Sequence, residues 1–500
     1  MPAVASAIML TKLVSSNPTR PQLRPPITSK TCAIRPKGSG IGLPAIVIIC
    51  TQKVHITLSC EFVHSGKKIL DNNHIENFEN IDVALYNNNA QVTGWIEDSR
   101  SIGSLIFLTL RNSTGKIQLI TKKNLVSEDL WKQVVNIARQ SIVKANGKLV
   151  HNEKNNVVEL IIEELEILNQ AEHPLPLDPT GRVDSGLDII LDARSLSLRK
   201  PEIRSIFKLR NNSLIYIRDF FIKNNFIEVN TPKILSLGAE GGATLFKTEY
   251  FDKLGFLAQS PQLYKEQLML AFERVFEISQ YFRAEKSNTT RHLNEFVSVD
   301  FEWAYKNNDQ TMDLCENLIK HIISNLIKNT PKELEILNSE LSDYLNVFDR
   351  ITYQDVIDDL NSLDHKKNFG DDITEHDLVV LSEKHKSFYF ITDWPSEIKP
   401  FYISSYDDSN LSMSFDLQFS NVELVSGGVR IHKISELEKN IEKSGLDLKN
   451  FKSHLQTFKW GMPPHSGLGL GFDRLIMILA NRKNIREVVL YPRDKDRLDP

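Results

Sequence analysis

The chain has 500 residues, of which 41% are hydrophobic and 25% charged, and its formal net charge is −4. This length predicts two or three domains, and the composition is that of an ordinary globular protein. The mildly negative charge excludes bulk affinity for nucleic acid and permits only local contacts. No apolar run approaches the roughly 18 residues of a membrane-spanning helix.

The start of the chain differs from the rest. No acidic residue precedes Glu61, whereas prolines and basic residues are scattered through the same stretch. Such a segment is typical of an organellar transit peptide, of a disordered extension, or of a start codon assigned too far upstream. We predict a basic, disordered extension over residues 1–75.

The four cysteines are Cys32, Cys50, Cys60 and Cys315. They form no C-x-x-C pair, so neither a zinc site nor a disulfide framework is indicated. A reducing compartment fits this pattern, and we expect a cytoplasmic protein, or an organellar one if residues 1–60 are a transit peptide.

Residues 80–170 have the pattern of a small β-barrel. Short strand-like runs separated by glycines surround one helical stretch at residues 127–138. Five strands with one helix predict an OB-type barrel, which binds single-stranded nucleic acid through an exposed aromatic and a few polar groups. Phe107 and Gln118 are candidates, although the strand pattern alone favours a core position for Phe107.

A proline-rich segment, residues 171–195, is predicted to link the barrel to a larger domain at residues 196–500. Pro201 begins a helix with apolar residues at helical spacing, and Asn224 ends it. Strands then alternate with helices, with a helix-rich insertion around residues 309–399. This pattern predicts an α+β domain, and neither a dinucleotide fingerprint nor a Walker A motif is present.

Several charged side chains lie inside apolar sequence, where they are costly unless they meet a partner. Arg283 ends a strand-like run, and an arginine opposite an aromatic can hold a phosphate and stack a base. Arg474 is predicted on a helix after a glycine turn, where it could hold the far end of a polyphosphate. Glu423 and Asp416 flank an apolar strand and could hold Mg²⁺. Each residue alone is better explained by a surface ion pair or a solvated carboxylate than by a function.

Three stretches, in order, carry a resemblance to a known family. FRAEKSNTTRHLNEF at residues 282–296 resembles motif 2 of the class II aminoacyl-tRNA synthetases, and residues 469–474 resemble motif 3. The helix and strand ending at Pro232 resemble motif 1. Together with the barrel, these motifs resemble the aspartyl/asparaginyl/lysyl subgroup, and in particular archaeal-type aspartyl enzymes over residues 82–500. The resemblance implies an antiparallel catalytic sheet flanked by helices, after a five-stranded OB-type barrel.

The resemblance also implies the reaction and the partners. Such enzymes activate L-aspartate with ATP and Mg²⁺ to aspartyl-adenylate, and then transfer the aspartyl group to the 3′ end of tRNA(Asp). Some members also charge tRNA(Asn), and the sequence leaves this second activity open. Family members are homodimers that pack through motif 1, and neither DNA nor a membrane is an expected partner.

Individual residues receive roles from the same resemblance. The aspartate site comprises Glu240, Gln262, Leu263, Tyr264, Lys265, Arg283, Asp300, Ser426 and Arg430. The ATP site comprises Arg283, Ala284, Glu285, Arg291, His292, Leu293, Phe296, Glu423, Gly471, Phe472, Asp473 and Arg474. The metal ligands are Glu423, Ser426 and Asp416. The anticodon is read by Arg100, Phe107 and Gln118, and tRNA discrimination is placed at Glu97, Asn155 and Asn156.

The amino acid itself is the hardest prediction, because the motifs are mixed. AEGGATLFK and RAEKS resemble asparaginyl enzymes, whereas SPQLYKEQ, SVDFE and SGGVRIH resemble aspartyl enzymes. Lys265 and Arg430 suit a carboxylate, since a neutral amide would leave a desolvated cation unpaired. We therefore predict aspartate, with asparagine as the alternative.

Two further alternatives are an ammonia-dependent asparagine synthetase on the same fold and a non-catalytic paralogue. The first lacks a barrel, and the second would be expected to lose the motif arginines, Arg283 and Arg474, which are both present.

Overall fold

The computed structural model describes residues 74–153, 155–236, 245–286, 289–407 and 409–500. Most of the predicted N-terminal extension and the predicted ligand Glu240 lie outside these ranges. Among the described helices, none combines the length and the apolar character needed to cross a bilayer.

The N-terminal domain is a barrel with one helix. Its elements are β1 (His74–Ile75), β2 (Asn89–Ile102), β3 (Leu105–Arg111), β4 (Lys116–Lys122), α1 (Glu128–Val135), β5 (Ile142–Asn152) and β6 (Val157–Asn169). Backbone pairings close the ring β2–β3–β4–β6–β5–β2, in which β4 and β6 run parallel and the other neighbours antiparallel. This ring confirms the predicted OB-type fold. It begins slightly before residue 80, because β1 pairs with β2 and Ile75 is buried.

The two faces of β3 differ in burial, although its sequence has apolar residues on both. Ile106, Leu108 and Leu110 are buried in the barrel core, so the intervening Phe107 is partly exposed on the outer face. The core position that the strand pattern favoured for Phe107 is therefore wrong. Phe107 pairs with Ile120 of β4, two residues from Gln118, which places Phe107 and Gln118 on one face.

The catalytic domain contains eleven strands and eleven helices among the described residues. The strands are β7 (Ile227–Glu228), β8 (Ile234–Leu235), β9 (Lys247–Tyr250), β10 (Lys253–Leu257), β11 (Arg274–Phe282), β12 (Glu295–Ala304), β13 (Asp349–Thr352), β14 (Phe388–Thr392), β15 (Ser414–Phe419), β16 (Val422–Val429) and β17 (His465–Gly471). The helices are α2 (Leu187–Asp192), α3 (Arg194–Ser197), α4 (Pro201–Lys223), α5 (Gln262–Gln267), α6 (Asn308–Asn329), α7 (Pro331–Leu337), α8 (Tyr353–Ser362), α9 (Glu375–Leu381), α10 (Ile434–Lys443), α11 (Lys452–Phe458) and α12 (Phe472–Leu479).

Single 3₁₀ turns complete the fold. They are Val83–Leu85, Lys123–Leu125, Leu268–Leu270, Ser342–Leu345, Ser396–Ile398, Leu448–Phe451 and Ile485–Val488.

The main sheet has eight strands in the order β13-β14-β15-β16-β17-β12-β11-β7. Its strands are antiparallel from β14 to β11, and only the outermost pairs, β13–β14 and β11–β7, are parallel. This architecture confirms the predicted antiparallel sheet flanked by helices. The segment at residues 309–399, expected to be a helix-rich insertion, supplies β13 and β14 and is thus part of the sheet itself.

One face of the sheet is the hydrophobic core. A row of cross-strand neighbours contains Phe415, Leu468, Phe301 and Phe276, each fully buried. Helices α4, α6 and α12 cover this face, and Phe221 of α4 stacks on Phe276 with 4.6 Å between ring centroids. The apolar stripe of the motif 1 helix is therefore buried against the sheet, as helical spacing requires.

The opposite face is polar, and the glycines of β17 make room on it. Gly467, Gly469 and Gly471 lie opposite Glu302, Asp300 and Ser298 of β12, respectively. A Cβ atom on Gly469 would come within 3.0 Å of the Asp300 carboxylate, and one on Gly467 would collide with the Glu302 carboxylate. These glycines belong to a strand, so the glycine turn expected before Arg474 is wrong.

The end of the predicted linker is anchored to the catalytic domain. Arg194 of α3 is 2% exposed and donates hydrogen bonds to the carbonyl oxygens of Glu487, Val489 and Leu490. Burial lowers the pKa of Arg194 to about 10, so its guanidinium remains charged at neutral pH. The linker is thus ordered where it enters the catalytic domain.

Candidate active site

A cavity of about 320 Å³ opens on the polar face of the main sheet. It brings together most of the residues predicted for the amino acid and for ATP. Those that line it are Gln262, Arg283, Glu285, Arg291, His292, Leu293, Phe296, Asp300, Glu423, Ser426, Arg430, Gly471, Asp473 and Arg474. Motifs 2 and 3, distant in sequence, therefore converge on one site with residues of α5 and β16.

Four buried charged side chains form a network at one end of the cavity. The Lys265 ammonium lies 3.1 Å from Asp300 Oδ1 and 3.4 Å from Glu302 Oε2, and it donates to the Leu468 carbonyl oxygen. Arg430 Nε donates to Glu302 Oε1 at 2.9 Å. Glu302 is fully buried and joins the two cations. Two positive charges are balanced by two carboxylates, which is the condition for burying charge at acceptable cost.

Lys265 and Arg430 differ in their access to the cavity. Arg430 lines it, with its guanidinium carbon 5.5 Å from the ring centroid of Tyr402. Burial alone would lower the pKa of Arg430, but the Glu302 carboxylate outweighs burial and raises it. Lys265 does not line the cavity, and its ammonium is already paired. The prediction that Lys265 faces the ligand carboxylate is therefore corrected, because its ammonium pairs with Asp300 and Glu302 outside the cavity lining.

Arginines surround the other end of the cavity. The Arg283 guanidinium carbon lies 5.3 Å from the ring centroid of Phe296, on the ring predicted to stack a base. Arg474 of α12 donates to the carbonyl oxygen of Glu423 at 2.8 Å, and Arg291 forms an ion pair of 3.2 Å with Glu375. Such a concentration of arginines favours a polyphosphate ligand.

His292 lies among these arginines. Burial, followed by the positive charge of Arg474, lowers the pKa of His292, so the imidazole is neutral at physiological pH. Its Nδ1 lies 2.6 Å from the Thr289 hydroxyl, and its Nε2 lies 3.9 Å from the Glu285 carboxylate.

Asp473, a predicted ATP ligand, already has protein partners. Its Oδ1 accepts from Arg210 of α4 at 2.5 Å, and its Oδ2 accepts from the Val297 backbone N–H at 2.8 Å. It therefore ties the motif 1 helix to motifs 2 and 3.

Four other predicted residues do not line the cavity. Phe472 is fully buried in the main core, while Leu263 and Tyr264 pack against smaller apolar clusters. Ala284 is also absent from the lining.

The predicted metal ligands lie on adjacent strands. Asp416 of β15 pairs directly with Ser426 of β16, and Glu423 is on the same strand as Ser426. Asp416 Oδ2 accepts from the Lys399 ammonium at 2.5 Å, whereas its Oδ1 is buried without a hydrogen-bond partner. Glu423 is open to the cavity. Desolvation by the surrounding protein, followed by the negative charge of Asp416, nevertheless raises the pKa of its carboxyl group. Two hard carboxylates with one unsatisfied oxygen fit a divalent cation.

The predicted anticodon residues share the outer face of the barrel. Arg100 pairs with Phe107 across β2 and β3, and its guanidinium carbon lies 5.4 Å from the ring centroid. Gln118 follows on the neighbouring strand. This is an aromatic platform with a cation and an amide beside it, as single-stranded nucleic acid requires.

The residues assigned to tRNA discrimination are not alike. Glu97 is 7% exposed, and its carboxylate is 2.6 Å from the Lys116 ammonium and 3.9 Å from Arg111. Asn155 and Asn156 are exposed in the β5–β6 turn. The Glu97 carboxylate is thus engaged within the barrel, whereas the turn presents two exposed asparagines, of which Asn156 Oδ1 lies 3.1 Å from His151 Nε2.

Several residues in the cavity wall or directly behind it were not predicted from the sequence. Ser298 donates to Asp300 Oδ2 at 2.5 Å, and Glu302 supports Arg430; both lie two residues from Asp300 on the same strand face. The period-2 rule applied to SVDFE could have found them. Lys399 and Tyr402 lie outside the long strands and helices, where no periodic signal points to them.

Comparisons with known proteins agree with this geometry. A family model for tRNA synthetases class II (D, K and N) matches residues 186–495, and one for the OB-fold nucleic acid binding domain matches residues 90–168. The aspartate–tRNA(Asp/Asn) ligase of Methanococcus aeolicus is 43% identical over 412 residues, covering 82% of this chain and 94% of the relative. The aspartate–tRNA(Asp) ligase of Picrophilus torridus is 44% identical, covering 82% and 97%.

Solved structures include both amino acid specificities. The asparaginyl-tRNA synthetase of Pyrococcus horikoshii with asparaginyl-adenylate has a TM-score of 0.80 at 30% identity, covering 85% of this chain and 99% of that chain. The aspartyl-tRNA synthetase of Entamoeba histolytica has a TM-score of 0.74 at 27% identity, covering 92% and 100%.

The antiparallel sheet and the arginine-lined cavity define an enzyme that acts on a nucleotide, and the barrel adds a nucleic-acid partner. This chain belongs to the class II tRNA synthetases of the aspartyl, lysyl and asparaginyl group.

The Glu302→Gln variant tests the buried charge network. Removing the carboxylate that joins Lys265 and Arg430 leaves two buried cations with one counter-ion, so the free energy of unfolding falls by about 3–5 kcal/mol. Chemical denaturation measures this loss. As the control, Glu436→Gln breaks an exposed ion pair with Lys433 and leaves the free energy of unfolding close to that of the wild type. Equal stabilities for the two variants would contradict the network.

Proposed function

We propose that this enzyme is an aspartate–tRNA ligase, which forms aspartyl-adenylate from L-aspartate and ATP and then aspartylates tRNA(Asp). The observation that carries this proposal is Arg430, a buried cation on the cavity wall that Glu302 holds in place. The curated relatives at 43% and 44% identity, named as aspartate–tRNA ligases, support the same amino acid.

The first reaction needs positioning and charge neutralisation more than proton transfer. An oxygen of the aspartate α-carboxylate bonds to the α-phosphorus of ATP, the bond to the bridging oxygen breaks, and pyrophosphate leaves with the electron pair. Arg283 and Arg474 lie where they neutralise the charge that moves onto the phosphates. The ribose hydroxyl of the terminal tRNA adenosine then attacks the adenylate carbonyl carbon, and AMP leaves.

The amino acid end of the cavity favours a carboxylate over an amide. Arg430 carries N–H donors and no acceptor, so the NH₂ group of asparagine would face donors without an acceptor to bind. Two acceptor oxygens of aspartate match the guanidinium instead. Asp300 and Gln262 line the same cavity and suit the α-ammonium group.

Asparagine activation is the second candidate, because the solved P. horikoshii asparaginyl enzyme shares the fold at a TM-score of 0.80. The identity to this asparaginyl enzyme is 30%, lower than the 43% identity to the M. aeolicus aspartate ligase, which favours aspartate as the substrate.

Pyrophosphate exchange with each amino acid separates these two functions. We expect aspartate to exceed asparagine by at least about a hundredfold in kcat/KM, and Arg430→Gln to lower the aspartate value about a thousandfold. Lys433→Gln, an exposed neighbour, serves as the control and leaves both values unchanged. Preferred exchange with asparagine would overturn the assignment.

We also propose that Glu423 and Ser426 hold Mg²⁺, with Asp416 behind them. The buried, unsatisfied Oδ1 of Asp416 supports this arrangement. When bound, the metal would neutralise charge on the phosphate oxygens of ATP.

The Glu423→Ala variant tests the metal site. Loss of the accessible carboxylate raises the Mg²⁺ concentration for half-maximal exchange by about 10–100-fold, a range typical of disturbed metal sites. Titration of exchange activity with Mg²⁺ measures the shift, and Glu436→Ala is the exposed control. An unchanged Mg²⁺ requirement would place the metal elsewhere.

We further propose that the outer face of the barrel reads the anticodon. Stacking of a base on Phe107 is worth about 1–3 kcal/mol, so Phe107→Ala raises the KM for tRNA about tenfold. Leu168→Ala, at an exposed position of β6, is the control. Pyrophosphate exchange without tRNA remains unchanged in both variants. A KM for tRNA unaffected by Phe107→Ala would remove the barrel face from recognition.

Aminoacylation of tRNA(Asn), measured in the same way as that of tRNA(Asp), decides whether the enzyme also charges this second tRNA. The two curated relatives differ on this point by name, since one carries Asp/Asn and the other Asp alone.

We propose, finally, that the enzyme is a homodimer. Ile215 and Ile222 of the motif 1 helix are 53% and 62% exposed, and Ile227 of the following strand is 45% exposed. An apolar surface of this kind, on the elements that motif 1 resemblance assigns to the interface, supports a twofold contact.

A further inference from the structure

Gln262 stands at the cavity wall with a fully buried carboxylate behind it. Its Nε2 lies 2.6 Å from Glu266 Oε1, one helical turn along α5. Gln262 is 5% exposed and lines the cavity, whereas Glu266 is fully buried and does not. Glu266 can therefore affect a ligand in the cavity only indirectly, by fixing the side chain of Gln262.

The chemistry of this contact fixes which end of the amide faces the cavity. An ionised carboxylate accepts hydrogen bonds and donates none, so the NH₂ group of Gln262 must face Glu266. The carbonyl Oε1 of Gln262 then points away from Glu266. Among the described residues, no group donates to this oxygen, so it is available to a ligand donor.

Two histidines lie near Oε2, the second carboxylate oxygen of Glu266. His454 Nε2 lies 3.5 Å and His465 Nε2 lies 3.9 Å from Glu266 Oε2, and both rings are buried. His465 Nδ1 is 2.7 Å from the Pro463 carbonyl oxygen and so carries a proton. Burial alone would raise the pKa of Glu266, but the two neighbouring histidines outweigh burial and lower the pKa, which keeps the carboxylate ionised.

We propose that Glu266 is a positioning residue, which locks the Gln262 amide so that its carbonyl oxygen accepts a hydrogen bond from the α-ammonium of the amino acid. This inference rests on the proposed aspartate–tRNA ligase function and deepens it. A rotated amide would instead present N–H donors to the ammonium, which repels them. The Glu266–Gln262 pair thus selects for an amino acid over a dicarboxylate that lacks the amine.

Ligands with and without the amine test this role. We use L-aspartate and succinate, which share both carboxylates, and measure dissociation constants by competition in pyrophosphate exchange. Glu266→Leu removes the acceptor and frees the amide to rotate. Because a hydrogen bond to a charged group is worth about 1.5–3 kcal/mol, we expect aspartate to weaken about 10–100-fold, while succinate and ATP are unchanged.

Two further variants keep the test informative if Glu266→Leu does not fold. Glu266→Gln retains an acceptor of the same length and restores aspartate affinity to within about threefold of the wild type. Glu266→Asp retains the charge but withdraws the acceptor, and it weakens aspartate selectively. Equal weakening of aspartate and succinate in Glu266→Asp, or no weakening of aspartate in it, would overturn the proposal.

The wild-type enzyme separates this inference from the proposed function. If the unmodified enzyme exchanges with asparagine and not with aspartate, the assigned substrate fails. If it exchanges with aspartate and the Glu266 variants affect succinate equally, the positioning role alone fails.

Discussion

A buried carboxylate shared by two cations is the constraint on which the catalytic site depends. Glu302 is fully buried and meets both Lys265 and Arg430, so neither cation is buried alone. Charges in a protein interior persist only when such partners are fixed in place. Because Glu302 lies on β12, an interior strand of the main sheet, it orients Arg430 before any ligand arrives. We propose that this preorganisation lets the Arg430 guanidinium distinguish a carboxylate from an amide.

Successive side chains of a strand point to opposite faces of the sheet, so the same strands contribute to the hydrophobic core and to the cavity. Along β17, leucines face the hydrophobic core, whereas Gly467, Gly469 and Gly471 face the polar side of the sheet. Gly469 and Gly471 line the cavity, and Gly467 leaves room for the Glu302 carboxylate. Side chains at Gly469 or Gly471 would project into the cavity, so the alternation that builds the sheet also sets the depth of the cavity.

The sequence predicted the class of fold and most of the cavity, because the motifs carry strong local patterns. The barrel and the motif 1 helix follow from periodicity. Motifs 2 and 3 identified Arg283 and Arg474, and the segment SGGVRIH identified Arg430. The features that could not be predicted from the sequence depend on contacts between residues that are distant along the chain. The strand pattern could not assign Phe107 to the outer face, and nothing local indicated that Lys265 is neutralised by Asp300 and Glu302.

A crystal structure with a non-hydrolysable aspartyl-adenylate analogue tests the central claim most directly. The account predicts that the Arg430 guanidinium contacts the side-chain carboxylate of the aspartyl group while its Nε keeps the hydrogen bond to Glu302. Lys265 is predicted to stay on Asp300 and Glu302. If Arg430 leaves Glu302, or if the ligand carboxylate binds elsewhere in the cavity, the preorganised network does not determine which amino acid is activated.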